Sequence, residues 1–354
     1  MKLFFKYFFI AIFILPFSGI YAQNNLSNTL SNLSGDAAKS YLGPAVSGFG
    51  ADINSNWFHN IVQPKLVSFD VEFTIVGMGT FFTNSDKTFN ASGHFRFDKD
   101  QANALTTGIA NQDVRTGIIN QQIINQDFQV GISGPTVVGS KNQNVIITFP
   151  GKTFTYNSQQ FNVPQQNISL DVNGYLNNLA ILPVAAPQLT VGTLVGTSLT
   201  LRYLPSIKLN SNLDNINYYG AAIQHNPAVW LDVPIPVDLS LGLSAQTLKV
   251  GSVLKATAES ISLNAGKTFG FGFLSLSPYA SVDLEKSTVK VNYNATYNTI
   301  TGYETENISF DANGANNVRL TLGTNLKLGI VNINVDYSIS QYNTLSAGLG
   351  FVIF

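Results

Sequence analysis

Residues 317–340 read "NVRLTLGTNLKLGIVNINVDYSIS" and repeat with a period of two. Before Gly329, Val318, Leu320, Leu322, Leu326 and Leu328 share one parity, and Asn317, Arg319, Thr321, Asn325 and Lys327 share the other. After it, Val331, Ile333, Val335, Tyr337 and Ile339 alternate with Asn332, Asn334, Asp336, Ser338 and Ser340. Successive side chains of a strand point to opposite faces, so each run makes a strand with one apolar and one polar face. Gly329 supplies the turn between them.

The same alternation recurs in "VSFDVEFTI" from Val67, "TSLTLRYLPSIKL" from Thr197 and "VDLSLGLSA" from Val237. On its own it fits a soluble sandwich as well as a membrane barrel. Length separates them. Runs of about 9–12 residues suit a tilted bilayer crossing, whereas globular strands are mostly about 5–6 residues long. In hydrocarbon every backbone group needs a partner, so strands cross only as a closed barrel. The apolar parity then faces lipid and the polar parity lines the lumen. This places Glu72, Arg202, Asp238, Arg319, Lys327 and Asp336 inside. Arg or Lys on the lipid face at mid-depth would cost about 2–4 kcal/mol, and here each charge shares its face with Ser, Thr or Asn.

Both ends of the chain point the same way. The opening "MKLFFKYFFIAIFILPFSGIYA" has Lys2 and Lys6, an apolar run from Tyr7 to Leu15, and Pro16. It reads as a secretory signal cut between Ala22 and Gln23. The absence of Cys excludes a lipid-anchored lipoprotein, disulfides and thiolate metal sites. No later apolar run is long enough for a spanning helix. At the other end, "TLSAGLGFVIF" puts Leu345, Ala347, Leu349, Phe351 and Ile353 on the apolar parity, with Phe354 off it. Outer-membrane barrels generally end on an aromatic that the barrel-assembly machinery reads, so Phe351 and Phe354 are the candidates for that signal.

Composition narrows the chemistry. Charged residues make up 11% of the chain and the formal net charge is -1. Soluble globular chains carry about 25% charged residues. Nothing resembles a basic patch for nucleic acid, and 45% hydrophobic residues argue against disorder. The histidines are His59, His94 and His225, and no HExxH or phosphate loop accompanies them. The G-x-G in "GFGADINSN" follows no strand. We therefore expect no cofactor, no metal and no enzymatic activity. One hydrolytic alternative is a barrel-embedded lipid hydrolase using a Ser, His225 and Asn226 at a strand end. Against it, His225 and Trp230 suit anchors at the membrane interface.

The expected organisation is a signal peptide (1–22), an N-terminal plug or periplasmic segment (23–64) and a barrel (65–354). The fold class is all-β, a transmembrane antiparallel barrel of about 12 strands (10–14), even in number. Strands are expected at 66–76, 187–195, 197–208, 216–225, 237–249, 253–263, 269–284, 317–328, 330–340 and 344–354. A further pair is sought within 78–185. Gly35 to Leu42 is a short helical candidate, followed by a Gly-rich turn. Long loops are expected near 78–166, which holds the tandem "IINQQIINQD" at Ile118 to Asp127, and near 285–316. Within the second, "STVKVNYNATY" alternates well enough to form a strand instead.

Several stretches resemble a family: "GFGADINSNWF", "GPTVVGSK", "APQLTVGTLVGTSLTLRYLP", "AAIQHNPAVWLDVPIPVDLSLG" and "YNTLSAGLGFVIF". They resemble an uncharacterised outer-membrane β-barrel family of Bacteroidetes, a domain of unknown function. The resemblance implies a barrel in the outer membrane and implies no activity. The layout is also loosely similar to long-chain fatty-acid transporter barrels, without a residue-by-residue match. The expected function is passive transport of small molecules, hydrophobic ones included. Its partners would be outer-membrane lipid, the assembly machinery and an unidentified small cargo. A structural or adhesive surface barrel is the alternative.

Overall fold

The computed structural model describes residues 30, 33–124, 126–207, 215–230, 236–271, 273–299 and 302–353. The signal cleavage position at Ala22 and Gln23, and Phe354, lie outside them. Helix α1 (Gly35–Ile53) comes first, followed by strand β1 (Val67–Phe81). An insert follows with β2 (Thr88–Arg96), α2 (Lys99–Leu105), α3 (Gln112–Ile118), β3 (Asp127–Pro135) and β4 (Asn144–Phe149). It continues through β5 (Lys152–Tyr156), β6 (Gln159–Val163) and β7 (Gln166–Asn173). Then come β8 (Ile181–Leu194), β9 (Thr197–Ile207), β10 (Ile216–His225), β11 (Asp238–Val250), β12 (Leu254–Gly266) and β13 (Phe269–Phe271). The chain closes with β14 (Leu274–Thr299), β15 (Gly302–Asn313), β16 (Val318–Leu328), β17 (Val331–Ile339) and β18 (Thr344–Ile353).

Strands β1, β8, β9, β10, β11, β12, β14, β16, β17 and β18 pair antiparallel in that order, and β18 returns to β1. Among the described residues this is a closed ring of ten strands, with β13 and β15 as additional partners of β14. The expected count of about 12 is corrected to the lower end of its range. The pair sought in 78–185 is absent from the ring because the stretch between β1 and β8 forms separate small sheets and helices packed on α1 and β14. No helix of the described residues is long and apolar enough to cross a membrane.

Side chains follow parity around the ring. Leu320, Leu322, Val335 and Leu349 are exposed on the outside, while Arg319, Thr321, Asp336 and Ser346 are buried inside. Strand β14 also shows where this stops. Up to Leu284 its outward residues are apolar (Leu274, Leu276, Val282, Leu284) and its inward ones polar (Ser281, Asp283, Glu285, Ser287). Beyond it Lys286 and Lys290 face out, and Val289, Val291, Tyr293 and Ala295 are buried. The pattern inverts because apolar groups turn outward in lipid and inward in water. Leu274 to Leu284 covers about 34 Å along the strand, or about 26 Å at a tilt of roughly 40°, close to the apolar band of membrane barrels.

The loop expected at 285–316 is thus corrected to a hairpin. The upper half of β14 pairs with β15 from Thr288↔Asn313 to Thr299↔Gly302. Then β16 continues along the same edge of β14. Since β14 ascends without interruption, the added pairing reverses no upstream strand. Likewise β12 runs through to Gly266, and the expected 66–76 strand extends to Phe81.

The region expected as a loop at 78–166 belongs to a folded insert. It has a four-stranded sheet (β2-β3-β4-β7) and a β5–β6 hairpin. Phe95, Phe97, Phe128, Phe149 and Phe154 are buried at its centre. The tandem is no loop either: Ile118, Ile119, Ile123 and Ile124 are buried, the helix continuing as a π-turn over Ile119–Ile123. The same core takes in Leu33, Ala38, Tyr41 and Leu42 of the α1 region and Val289, Val291 and Tyr293 of β14. The Tyr41 hydroxyl donates to the Asn173 carbonyl at 2.8 Å, and burial pushes its pKa well above the usual range. Helix α1 is longer than the Gly35–Leu42 candidate. Ser34 caps it, and it passes through the expected Gly-rich turn as helix. At Gly50 a Cβ would collide with Ser287 on the wall, so the glycine serves close packing here.

Candidate functional site

The polar interior of the ring is occupied by the chain's own residues after α1. Two wall arginines hold that segment. Arg202 on β9 is 1% exposed; its Nη2 donates to the Ser55 and Asn56 carbonyls at 2.9 and 2.7 Å. Its Nε donates to Gln188 Oε1 at 2.8 Å and its Nη1 to the Tyr218 hydroxyl at 3.2 Å. The guanidinium lies 3.9 Å from the centre of the Trp57 ring, a cation–π stack. On β16, Arg319 donates through Nη2 to the Ala51 carbonyl at 2.7 Å and through Nη1 to Ser55 Oγ. It also pairs with Glu285 at 2.8 Å. A helix C-terminus leaves carbonyls unpaired at the negative end of its dipole; Arg319 meets one of them at Ala51, and Arg202 holds the backbone just beyond the helix end.

Further contacts continue down the segment. Asn56 Nδ2 donates to Asp336 Oδ2 at 2.6 Å, and the Tyr279 hydroxyl donates to the same oxygen at 2.8 Å. His59 Nε2 lies 3.3 Å from Glu72 Oε1, which also accepts from Asn332 at 2.7 Å and Thr74 at 3.0 Å. The Val62 carbonyl accepts from Asn226 at 2.7 Å. Gly242 on β11 leaves room for the Phe58 ring, which a Cβ would strike. A void of about 20 Å³ remains beside Asn56, Phe58, Asp283 and Asp336, room for one water. Toward the short-turn end, where two-residue turns join β8 to β9 and β16 to β17, the lumen widens to a cup of about 250 Å³, lined by Gln63, Lys65, Glu72, Asn325 and Lys327 among others.

Of the residues singled out by parity, Glu72, Arg202, Arg319 and Asp336 are buried together around residues 51–59. Asp238 and Lys327 are half-buried toward the short-turn end. Phe351 faces outward, in register with Phe73 and Val331 on neighbouring strands. Among the described residues, His225 has no hydrogen bond to a serine side chain. Its Nδ1 is 2.9 Å from Thr197 Oγ1, and its Nε2 accepts from Trp230 at 3.3 Å. The neighbouring Asn226 is engaged with Val62, so the hydrolase arrangement is not assembled among the described residues. Nor is a metal-binding group of three or more His, Cys, Asp or Glu found among them. Strand patterns missed Ser55, Asn56, Trp57 and His59. Their signal was the dense run "NSNWFHN" outside any alternating stretch, with aromatic and amide groups that a solvated linker would not need.

No curated relative matches the chain. Solved structures similar to it are outer-membrane barrels. The chain is similar to a bacterial polysaccharide outer membrane secretin (8% identity, 80% of this chain, 98% of that one, TM-score 0.24). It is similar to OmpT, an outer membrane protein of Vibrio cholerae (9%, 81% and 99%, 0.23). It is also similar to the outer membrane protease OmpT of Escherichia coli (8%, 82% and 100%, 0.26). Likeness at this level carries nothing about activity or ligand. The sequence profile of a family of unknown function matches residues 1–353, and the chain belongs to that family, DUF6588.

Proposed function

We propose that the protein is an outer-membrane β-barrel that admits small polar solutes through its lumen and is held shut at rest by its own residues 51–65. The observation that carries this is the grip of Arg202 and Arg319 on the backbone carbonyls of that segment. Apart from the small apolar cluster of Trp57, Phe58 and Ala222, such a seal is made of hydrogen bonds that water can replace as the segment leaves. Polar walls favour polar cargo over the hydrophobic cargo of the transporter resemblance. The reading includes export by a signal peptide cleaved between Ala22 and Gln23, insertion by assembly machinery that reads Phe351 and Phe354, and an outward-facing insert end, since long excursions usually lie outside.

Planar-bilayer conductance tests it. The full chain should be nearly silent. A chain lacking residues 23–60, shown to be folded by heat-modifiable gel migration, should conduct. If both are folded and silent, the lumen is not a conduit. The structural or adhesive alternative would then stand, favoured by the insert that packs on α1 and β14.

A further inference from the structure

The register places four outward-facing rows across β11, β12 and β14. The lowest is apolar: Leu243, Ile261 and Leu284. Above it lie Ala245, Glu259 and Lys286, then Thr247, Thr257 and Thr288, then Lys249, Lys255 and Lys290. The top row sets three ammonium groups side by side on adjacent strands, where like charges repel. All three are exposed, as is Lys286. None of these lysines has a carboxylate within 4.0 Å among the described residues. Acidic neighbours in register are Glu259, opposite Lys286, and Asp311, opposite Lys290. Between the apolar row and the lysine row lies a depression of about 460 Å³, lined by Tyr219, Thr247, Thr257, Glu259, Lys286 and Thr288.

Height decides what fits. The lysine row stands about 20 Å along the strands from the last apolar row, or about 15 Å above it after tilt. A phospholipid headgroup layer is only about 5–8 Å deep. The row stands above a depression whose floor holds Lys286 and whose wall holds Thr247, Thr257 and Thr288. We propose that this site binds the phosphorylated sugar headgroup of a membrane glycolipid, with phosphate against Lys249, Lys255, Lys286 and Lys290. The proposal rests on the membrane reading above.

Lipid A, a diphosphorylated glucosamine disaccharide lipid, is the probe. The refolded full chain would be titrated with it in detergent and bound lipid counted by native mass spectrometry. A heat-modifiable band in phosphatidylcholine vesicles reports separately whether the barrel inserts. We expect one lipid A per barrel and clearly weaker binding of its dephosphorylated form. K249S/K255S/K290S should bind it on the order of a hundredfold more weakly, about fivefold per lysine. Without lipid, Lys255→Ser alone should leave the barrel as stable or more stable, because it removes a like-charged neighbour. Equal binding of the dephosphorylated form, or full binding by the triple variant, would overturn the site. Displacement by millimolar inorganic phosphate would show a free-anion site and overturn the lipid assignment. A chain that gives no inserted barrel would bring down the membrane reading and this proposal with it.

Discussion

Replacing Arg202 with Ala removes the guanidinium from 1% exposure and leaves four oxygen acceptors without their donor: the Ser55 and Asn56 carbonyls, Gln188 Oε1 and the Tyr218 hydroxyl. Gln188 and Tyr218 belong to the wall, so only two of these bonds, with the Trp57 stack, hold the inner segment. Hydrogen bonds from a charged donor contribute about 1.5–3 kcal/mol each. Water entering the vacated space offsets part of the loss, which leaves about 3 kcal/mol. That corresponds to roughly a hundredfold rise in the displaced fraction of the segment. Two readouts follow. Conductance events should become about a hundredfold more frequent, in line with the same free energy. Trp57, buried at 4% exposure, should also become open to acrylamide quenching, measured in a Trp230→Phe background because Trp230 is exposed. Arg202→Lys, which cannot reproduce the planar fork, should fall between wild type and Ala. A folded Arg202→Ala barrel with unchanged event frequency and unchanged quenching would refute the clamp.

Ala280→Lys, near the middle of the lipid-facing run from Leu274 to Leu284, should destabilise the barrel by about 2–3 kcal/mol, as a charge deep in the lipid band does. Lys286→Leu should cost little, since Lys286 stands one outward position beyond the band; equal effects in urea titrations would misplace the membrane boundary. Tyr41→Phe removes the bond to the Asn173 carbonyl and should loosen the insert by about 1 kcal/mol. Limited proteolysis would cut 82–180 sooner and leave the ring intact. Deleting residues 345–354 exposes the paired edges of β1 and β17 to hydrocarbon. No heat-modifiable band should form, whereas Phe354→Ser should slow assembly more than it lowers stability.

Parity made the ring legible and could not make its contents legible. Arg319 between Val318 and Leu320, or Asp336 between Val335 and Tyr337, shows a side chain facing away from lipid. It does not show whether that side chain meets water or another part of the chain. The contacts of Arg202 span more than a hundred positions, from Ser55 and Asn56 on one side to Gln188 and Tyr218 on the other, and no local pattern encodes them. The insert was hidden for a related reason. Its strands are short and its buried isoleucines lie in the polar tandem "IINQQIINQD", so neither period is long enough to read. The Gly-rich stretch after Leu42 suggested a turn because glycine weakens an isolated helix. Inside the ring the helix needs Gly50 to fit against Ser287, and tertiary contact outweighs the local cost.

The upper half of β14 joins these two kinds of information. "STVKVNYNATY" keeps the period of the strand below it and exchanges its faces: apolar residues sit on the inward parity after Ser287 and on the outward parity before Leu284. A soluble barrel keeps its apolar parity inward throughout, and a strand wholly within lipid keeps it outward throughout. Only a strand that crosses from one medium to the other inverts without losing register, and the inversion point marks the boundary between Leu284 and Lys286. Adjacent strands agree, since Ile261 and Leu243 end the apolar parity on β12 and β11 in the same row. Above that line the wall's inward residues Val289, Val291 and Tyr293 join the core formed with the α1 region and the insert. Below it Arg202, Arg319 and Asp336 meet residues 51–56 through hydrogen bonds. The inner segment is therefore held by an apolar grip at one end and a polar grip at the other. Its polar end is the one that water can release, so opening would begin at the short-turn mouth while the insert stays in place.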